Sequence, residues 1–476
     1  MKQKWWLGLL LASCSSLVWA KSGVANIDPA SAIIFWGTVL LAFGILGRYL
    51  AKICGQPGVL GELLMGVVVG NICYAYHVPL MIILRDSASV FAVIQKMLQG
   101  VSLTTAVHQL ISDTYYAKQV IAAMSGQNGE QWITVTFVVD AFSRYGVIFL
   151  LFMVGLESSL RDLKKTGKES AFVAIIGVIA PIILGLLITK WMLPDSPFST
   201  ALFVAATLSA TSVGITARVL QDMNKLKTRE AKTIMGAAML DDVLGLVILS
   251  VVSGMVVVGS MSSWMFVRIL AMAIVFFPLS LWLGPILLRR MIAWITFVAP
   301  WEAKLLTSFI FIMGFSWLAT MVHMSTIIGA FMAGLILHEG FFEAREREVK
   351  DPQSIRNLLA PFEAIFAPLF FVLIGIQVRL ESFLDKQVFL YSLCLLAAAI
   401  VGKLISGFGA NRRDDRLLVG IGMIPRGEVG LVFASVGKSL HIIPDTLFSA
   451  IIVMVVVTTF ITPIWMKVRY QRTGAA

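Results

Sequence analysis

The stretch that decides the fold is AAMLDDVLGLVILS, residues 237–250, where Asp241 and Asp242 stand side by side in an otherwise apolar run. The apolar pattern continues on both sides and predicts a helix over about residues 229–258. That length is typical of a membrane span, and an ionisable side chain at mid-span costs about 3 kcal/mol on insertion scales. The pair therefore indicates a membrane protein with a functional position inside the membrane.

The whole chain has the composition of a polytopic membrane protein. Of its 476 residues, 58% are hydrophobic and 14% are charged, whereas soluble domains carry about 25% charged residues. Apolar runs near the roughly 20 residues that cross a bilayer recur, for example over 31–50, 198–219 and 447–466. Backbone groups in lipid must bond within their own segment, so the sequence predicts an all-α fold.

We predict thirteen transmembrane helices, and the charged residues of the loops give their orientation. Lysines and arginines concentrate in alternate loops, which are expected to be cytoplasmic. The N-terminus is then periplasmic and the C-terminus cytoplasmic, and the net charge of +11 reflects orientation rather than nucleic-acid binding. The predicted spans are about 31–51, 57–75, 142–158, 169–191, 198–221, 229–258, 264–288, 303–322, 325–339, 358–379, 387–408, 415–437 and 444–467.

Three segments lie outside these spans. Residues 1–20 have the basic start, apolar stretch and small-residue end of a cleavable signal peptide. Residues 76–141 are too polar to cross the membrane and are predicted to be a periplasmic insertion, in which Val90–Ile111 could form an amphipathic surface helix. Residues 469–476 are predicted to be a cytoplasmic tail.

The two aspartates are predicted to have separate roles. Neighbouring helical residues point about 100° apart, so the carboxylates cannot face one ligand symmetrically. Burial and a nearby like charge raise a carboxyl pKa, whereas a bound cation lowers it, so cation and proton compete for one carboxylate. The alternative is an interhelical structural pair.

Other ionisable residues also fall within predicted spans. Lys403 lies deep in span eleven and needs a counter-charge, for which an aspartate of the pair is the natural partner. Otherwise it reaches the cytoplasmic end of its helix. Arg426 and Glu428 lie in span twelve and either serve the charged site or pair with each other. Glu62 lies in span two.

Two predicted spans have the residues of broken helices. Span five contains LSATSVGITARVL, residues 208–220, which includes the hydroxyls of Thr211 and Ser212. Span twelve contains GIGMIPRGEVGLVFAS, residues 420–435, which is interrupted by proline and glycine. Each is the second-to-last span in a block of six, a position typical of a transporter site built on inverted repeats. A small-residue packing face is the alternative for each segment alone.

These segments resemble bacterial monovalent cation:proton antiporters of the NapA type, in the wider group with NhaA and the Kef exchangers. The similarity covers about residues 32–468 and includes FLLFMVGLESSLRDL at 149–163 and PLFFVLIGIQVRL at 368–380. It implies an NhaA-like fold of two inverted six-helix repeats with broken crossing helices, assembled as a homodimer in membrane lipid.

The resemblance also implies a division of the transmembrane domain, residues 31–468. Core helices at about 169–258 and 387–467 would move against dimerisation helices at about 31–158 and 303–379. No cofactor and no nucleic-acid partner are expected. Unlike the Kef type, the chain is not expected to carry a nucleotide-binding regulatory domain after its last span.

By motif match, the resemblance assigns roles to individual residues. Asp242 would bind the exchanged Na⁺, and Asp241 would pair with Lys403. Thr211 and Ser212 would lie in the unwound crossing. The aspartate pair with a lysine resembles exchangers that move more protons than cations in each cycle and are therefore electrogenic.

The expected function is secondary active exchange of Na⁺ or Li⁺ for H⁺ across the cell inner membrane, and not an enzymatic reaction. A K⁺/H⁺ or unselective exchanger is the main alternative, because hydroxyl and carbonyl oxygens serve both cations. A cation channel is a remote alternative, since it would need a carbonyl filter or rings of charge. An intramembrane aspartyl protease is disfavoured because its two aspartates belong on facing helices.

Overall fold

The computed structural model describes residues 29–111, 114–157, 167–223, 225, 228–258, 263–295, 297–322, 324–343 and 353–473, and these are helical apart from their connections. The predicted signal peptide, residues 1–20, lies outside the described residues. Within them, nine helices are long and apolar enough to cross a membrane by length and composition. The total of thirteen spans stays a prediction.

The helices are numbered here in chain order. They are α1 Pro29–Ile53, α2 Gly58–Ala75, α3 Pro79–Arg85, α4 Ser87–Leu98, α5 Leu103–Leu110, α6 Thr114–Ser125, α7 Gly129–Glu157, α8 Lys168–Met192, α9 Phe198–Ser209, α10 Val213–Asp222, α11 Arg229–Val258, α12 Ser263–Trp294, α13 Pro300–Met321, α14 Thr326–Ile336, α15 Ile355–Ile376, α16 Lys386–Ser406, α17 Arg416–Gly422, α18 Glu428–Ser439 and α19 Asp445–Thr473. Short 3₁₀ turns follow α14, α15 and α16.

Some boundaries differ from the sequence prediction. The helix predicted to start at 142 begins at Gly129, because the polar side chains of its first turns did not interrupt the helix. The single amphipathic helix predicted over 90–111 is instead two helices, α4 and α5, separated at Gly100, whose φ of +90° suits glycine. At the other end of the chain, α19 continues to Thr473 through most of the predicted tail.

The chain forms two compact units, of which the first comprises the described residues up to Arg144 together with Pro368–Val378. Its apolar core joins α1 and α2 to the short helices α3–α6, so the segment after α2 is a packed subdomain. In α3, the side chains of 80–84 are at most 3% exposed. The hydroxyl of Tyr116 donates to the Ile82 carbonyl at 2.6 Å and fixes α6 on α3.

The second unit comprises Tyr145–Ala367 and the residues from Arg379 onward. In it, α8 packs against α9, α11 and α16, and α16 packs against α19. Small side chains line these contacts, for example Ala174 and Ala237, which are fully buried together with Val419. Small residues allow close helix approach in membranes, and this unit contains all the residues predicted to form the site.

Candidate functional site

The aspartate pair lies near the middle of α11 and is buried. Asp241 is 1% exposed and Asp242 is 4% exposed. Both segments of the broken span five, α9 and α10, pack against α11. The pair is therefore enclosed by protein, in an interior where an ionised carboxylate needs a compensating charge or hydrogen bonds.

Lys403 of α16 supplies such a charge to Asp241. Its Nζ donates to Asp241 Oδ1 at 3.1 Å and to Oδ2 at 3.2 Å, and both side chains are almost completely buried. Charge-assisted N–H···O bonds are typically about 2.7–2.9 Å long, so this contact is longer than the tightest ion pairs. The structure thus brings together the lysine and one carboxylate of the pair. Asp242 is the next residue along α11, and neighbouring helical residues project about 100° apart.

The two broken segments contact each other through the non-helical residues that separate their helical halves. The first has α9 ending at Ser209 and α10 starting at Val213, and the second has α17 ending at Gly422 and α18 starting at Glu428. The backbone N–H of Ser212 donates to the Pro425 carbonyl at 2.9 Å. A Cβ on Gly427 would lie 2.5 Å from Ser212 Oγ, so only glycine allows the two breaks to approach this closely.

Both predicted hydroxyl residues lie in the first break and are buried. Thr211 Oγ1 donates to the Met423 carbonyl at 3.4 Å. Ser212 is fully buried. One turn later, Thr216, another hydroxyl residue of the segment 208–220, donates from Oγ1 to the Gly422 carbonyl at 2.7 Å and ties the two breaks together. Whether Thr211 and Ser212 bind the cation stays a prediction.

Arg426 is fully buried and bonds to the end of α9. Its Nη1 donates to the carbonyls of Ala210 and Ser209, and its Nη2 donates to the Ala399 carbonyl at 3.4 Å. The carbonyl end of a helix carries partial negative charge, which the guanidinium offsets. The alternative in which Arg426 pairs with Glu428 stays untested, because the Glu428 side chain lies outside the described part of the structure.

The loop between α17 and α18 makes a further contact that the sequence did not predict. Thr459 Oγ1, from α19, donates to the Arg426 carbonyl at 2.5 Å and holds the start of α18. Its sequence signal was a pair of threonines, Thr458 and Thr459, in an otherwise apolar helix. Such pairs more often bond within their own helix, as Thr458 Oγ1 does with Met454.

The groups around the breaks have the chemistry for a hard monovalent cation and a proton. The described ionisable residues are two carboxylates, Asp241 and Asp242, and two cations, Lys403 and Arg426. Carboxylate, hydroxyl and carbonyl oxygens suit hard cations. Among the described residues, no group of three or more His, Cys, Asp or Glu side chains could hold a metal ion as a resident cofactor.

Glu62 lies in the first unit and has a structural partner. The carboxylate is fully buried in α2 and accepts from Arg48 Nε of α1 at 2.5 Å. The two helices touch nearby, because a Cβ on Gly61 would lie 2.0 Å from the Gly47 carbonyl oxygen. The ion pair accounts for this charge within the first unit.

Asp415 is the N-cap of α17. Its carboxylate accepts from the backbone of Leu417 and Leu418 and from Arg469 Nε at 2.7 Å and Nη2 at 3.1 Å. Burial raises the pKa of Asp415, but the hydrogen bonds from Arg469 and from these two amides outweigh it, so the pKa lies below its usual value. The ionised form therefore holds this half-helix on α19.

We expect Asp415→Ala to lower the stability of the purified protein by about 1 kcal/mol at neutral pH, the usual cost of a lost N-cap. Because folding lowers this pKa, the contribution is complete above the unfolded value of about 3.9 and is lost as pH falls through the folded value. Thermal unfolding of wild type and variant in detergent at pH 7 and below pH 4 measures this difference. It should shrink at the lower pH.

Asp385→Ala is the matched control, because Asp385 caps α16 through the Gln387 N–H at 2.7 Å. It should cost less than Asp415→Ala, which also loses the contact with Arg469. A stability difference for Asp415→Ala that does not change with pH would contradict the role given to its ionised form.

The chain is similar in sequence to known proteins. The family model described as sodium/hydrogen exchanger, transmembrane, matches residues 38–468. The chain is 35% identical over 343 residues to the high-affinity Na⁺/H⁺ antiporter NhaS3 of Synechocystis sp., covering 70% of this chain and 72% of that protein. It is 32% identical over 361 residues to a Na⁺/H⁺ antiporter of Enterococcus hirae, covering 73% and 89%.

The fold also matches a solved structure. The sodium proton antiporter MjNhaP1 from Methanocaldococcus jannaschii at pH 8 superposes with a TM-score of 0.58, covering 93% of this chain and 98% of that chain. The sequences are 16% identical, so this likeness speaks for the fold alone. The all-helical polytopic architecture is thus shared with a known antiporter.

Proposed function

The chain belongs to the sodium/hydrogen exchanger family, and from this premise we propose that it exchanges Na⁺ or Li⁺ for H⁺ across a membrane. The observation that carries the proposal is the buried pair on α11, in which Asp241 contacts Lys403 and Asp242 is the neighbouring buried carboxylate. Relatives at 35% and 32% identity bear the name Na⁺/H⁺ antiporter.

Asp242 is the proposed carboxylate for which cation and proton compete. In a dry site, a carboxylate is stable either protonated or with a bound cation. Hydroxyl oxygens of Thr211 and Ser212 would complete the cation's ligands, because the guanidinium of Arg426 already occupies the nearby carbonyls of Ala210 and Ser209. Exposing this site alternately to the two sides would couple the two gradients.

The architecture that we propose for this activity has thirteen transmembrane helices in two inverted repeats. The nine long apolar helices and the two broken segments support it. The protein would lie in the cell inner membrane as a homodimer, with a periplasmic N-terminus and a cytoplasmic C-terminus. Its dimerisation and core helices would be those that the sequence predicts.

We further propose that exchange is electrogenic, with Lys403 setting the charge moved in each cycle. The described site holds two negative and two positive groups. Binding of one cation could therefore release one proton from Asp242 and a second proton from the Asp241–Lys403 pair. Without Lys403, only one exchangeable proton would remain for each cation. The alternatives are a K⁺/H⁺ or unselective exchanger and, more remotely, a cation channel.

Replacing Lys403 with alanine is expected to give weaker or electroneutral exchange. The measurement is Na⁺-driven proton flux in proteoliposomes at several clamped membrane potentials. Lys304→Ala is the matched control, because Lys304 is also buried and contacts Glu339 at 2.6 Å, but lies in α13 away from the breaks. Unchanged voltage dependence in Lys403→Ala would argue against its role in coupling.

The test of the function uses everted vesicles that hold a proton gradient. Addition of Na⁺ or Li⁺ should collapse the gradient, and choline of equal ionic strength should not. An equal or larger response to K⁺ would establish the K⁺/H⁺ alternative. A cation current that moves no protons would establish the channel and refute the exchanger.

A further inference from the structure

α8 contains a proline in its middle, where a membrane helix must satisfy its own backbone. Pro181 is buried within Lys168–Met192. Proline has no N–H, so the carbonyl of Gly177, four residues earlier, lacks its helical donor. In a membrane interior, such a freed carbonyl takes a donor from a neighbouring helix or side chain.

The helix that faces this turn is α16, which carries Lys403. A Cβ on Gly402 would lie 2.9 Å from Pro181 Cα, so the two backbones approach closely at this point. A Cβ on Gly177 would lie 3.5 Å from Lys403 Nζ and 3.2 Å from Ser406 Cβ. The ammonium group is thus adjacent to the turn of α8 whose carbonyl Pro181 frees.

Lys403 needs a second acceptor if its contact with Asp241 opens during exchange. Its Nζ has three N–H groups, and the two oxygens of Asp241 accept at 3.1 and 3.2 Å. An ammonium that left this carboxylate in a dry interior would be strongly destabilised unless another oxygen took over. The Gly177 carbonyl is a backbone acceptor of this kind, because Pro181 lacks the N–H that would bond it within the helix.

We propose that Pro181 is a positioning residue for Lys403: it frees the Gly177 carbonyl to hold the ammonium when the cation-bound state separates Lys403 from Asp241. This inference rests on the proposed exchange function. It assigns the proline a chemical role beyond bending α8. In this proposal, the hydrogen bond from the Lys403 ammonium to the Gly177 carbonyl stabilises the cation-bound state without contacting the cation.

Pro181→Ala restores the amide N–H and so returns the Gly177 carbonyl to the helix. We expect the apparent KM for Na⁺ to rise about tenfold, the size of one lost hydrogen bond to a charged group, with kcat within about twofold of wild type. Na⁺-dependent thermal stabilisation of the purified protein measures the same affinity without transport. Pro181→Gly restores the same N–H and should give the same result. It serves as the second variant in case the alanine variant folds poorly.

Two comparisons separate this role from a structural one. Pro278→Ala, at an exposed proline inside α12, should leave the affinity for Na⁺ unchanged. In a Lys403→Met background, adding Pro181→Ala should produce no further change, because the proline acts through the lysine. The inference would be overturned by an unchanged Na⁺ affinity in Pro181→Ala. It would also be overturned if Pro181→Ala lowered the Na⁺ affinity equally with and without Lys403. Absence of Na⁺-dependent exchange in wild type would instead refute the proposed function.

Discussion

Asp242→Asn is expected to reduce Na⁺-driven proton movement to the level of vesicles that lack the protein. The amide has nearly the shape of the carboxyl, so the packing of α11 should survive. However, an amide neither takes up a proton nor balances a cation in a buried site, where each charge needs compensation. The measurement is collapse of a preset proton gradient on addition of Na⁺ or Li⁺, with equal amounts of protein confirmed in each membrane preparation.

Asp241→Asn is the matched control for this variant. It makes the same chemical change one residue away, on the carboxylate that contacts Lys403. We expect exchange to persist with weaker dependence on membrane potential, because the carboxylate that binds the cation remains. Full activity in Asp242→Asn would refute the site assignment, and complete loss in both variants would refute the division of roles between the aspartates.

Arg426→Ala should be the most destabilising substitution near the site and should also abolish exchange. It removes the donor to the carbonyls of Ala210, Ser209 and Ala399 in a fully buried position. A buried acceptor that is left without its hydrogen-bond partner costs about 1–3 kcal/mol, and three carbonyls lose their donor here. The end of α9 would then lack its compensating charge, and the break that carries Thr211 and Ser212 would lose its geometry. Thermal unfolding in detergent and vesicle exchange measure the two effects.

Two further variants separate charge from burial. Arg426→Lys keeps a positive charge but cannot reach carbonyls on two helices at once, so its stability and activity should fall between those of wild type and Arg426→Ala. Arg85→Ala removes another arginine that is only 1% exposed, from the first unit, where Arg85 Nη2 donates to Asn71 at 2.9 Å. It should destabilise the protein while its folded fraction still exchanges Na⁺. Wild-type exchange in Arg426→Ala would refute this account of α9.

The sequence located the elements of the site more reliably than their contacts. Prolines, glycines and hydroxyl residues interrupt a helix through local chemistry, so both breaks were visible in segments 208–220 and 420–435. The partner of Arg426 was not visible, because its acceptors are backbone carbonyls on α9 and α16 that have no side-chain signature. The same holds for Thr459, whose role depends on which loop α19 faces.

The sequence by itself determined that this is an all-helical membrane protein with an acidic pair at mid-helix, because hydropathy and the cost of buried charge act along a single segment. It also proposed that Lys403 and an aspartate are partners, since each charge required one. The family resemblance assigned Asp241 to this pair, and the structure contains that contact. Only the tertiary structure decided that Pro181 adjoins the lysine. Those contacts join residues far apart in the chain, and packing of α8, α11 and α16 sets which faces meet.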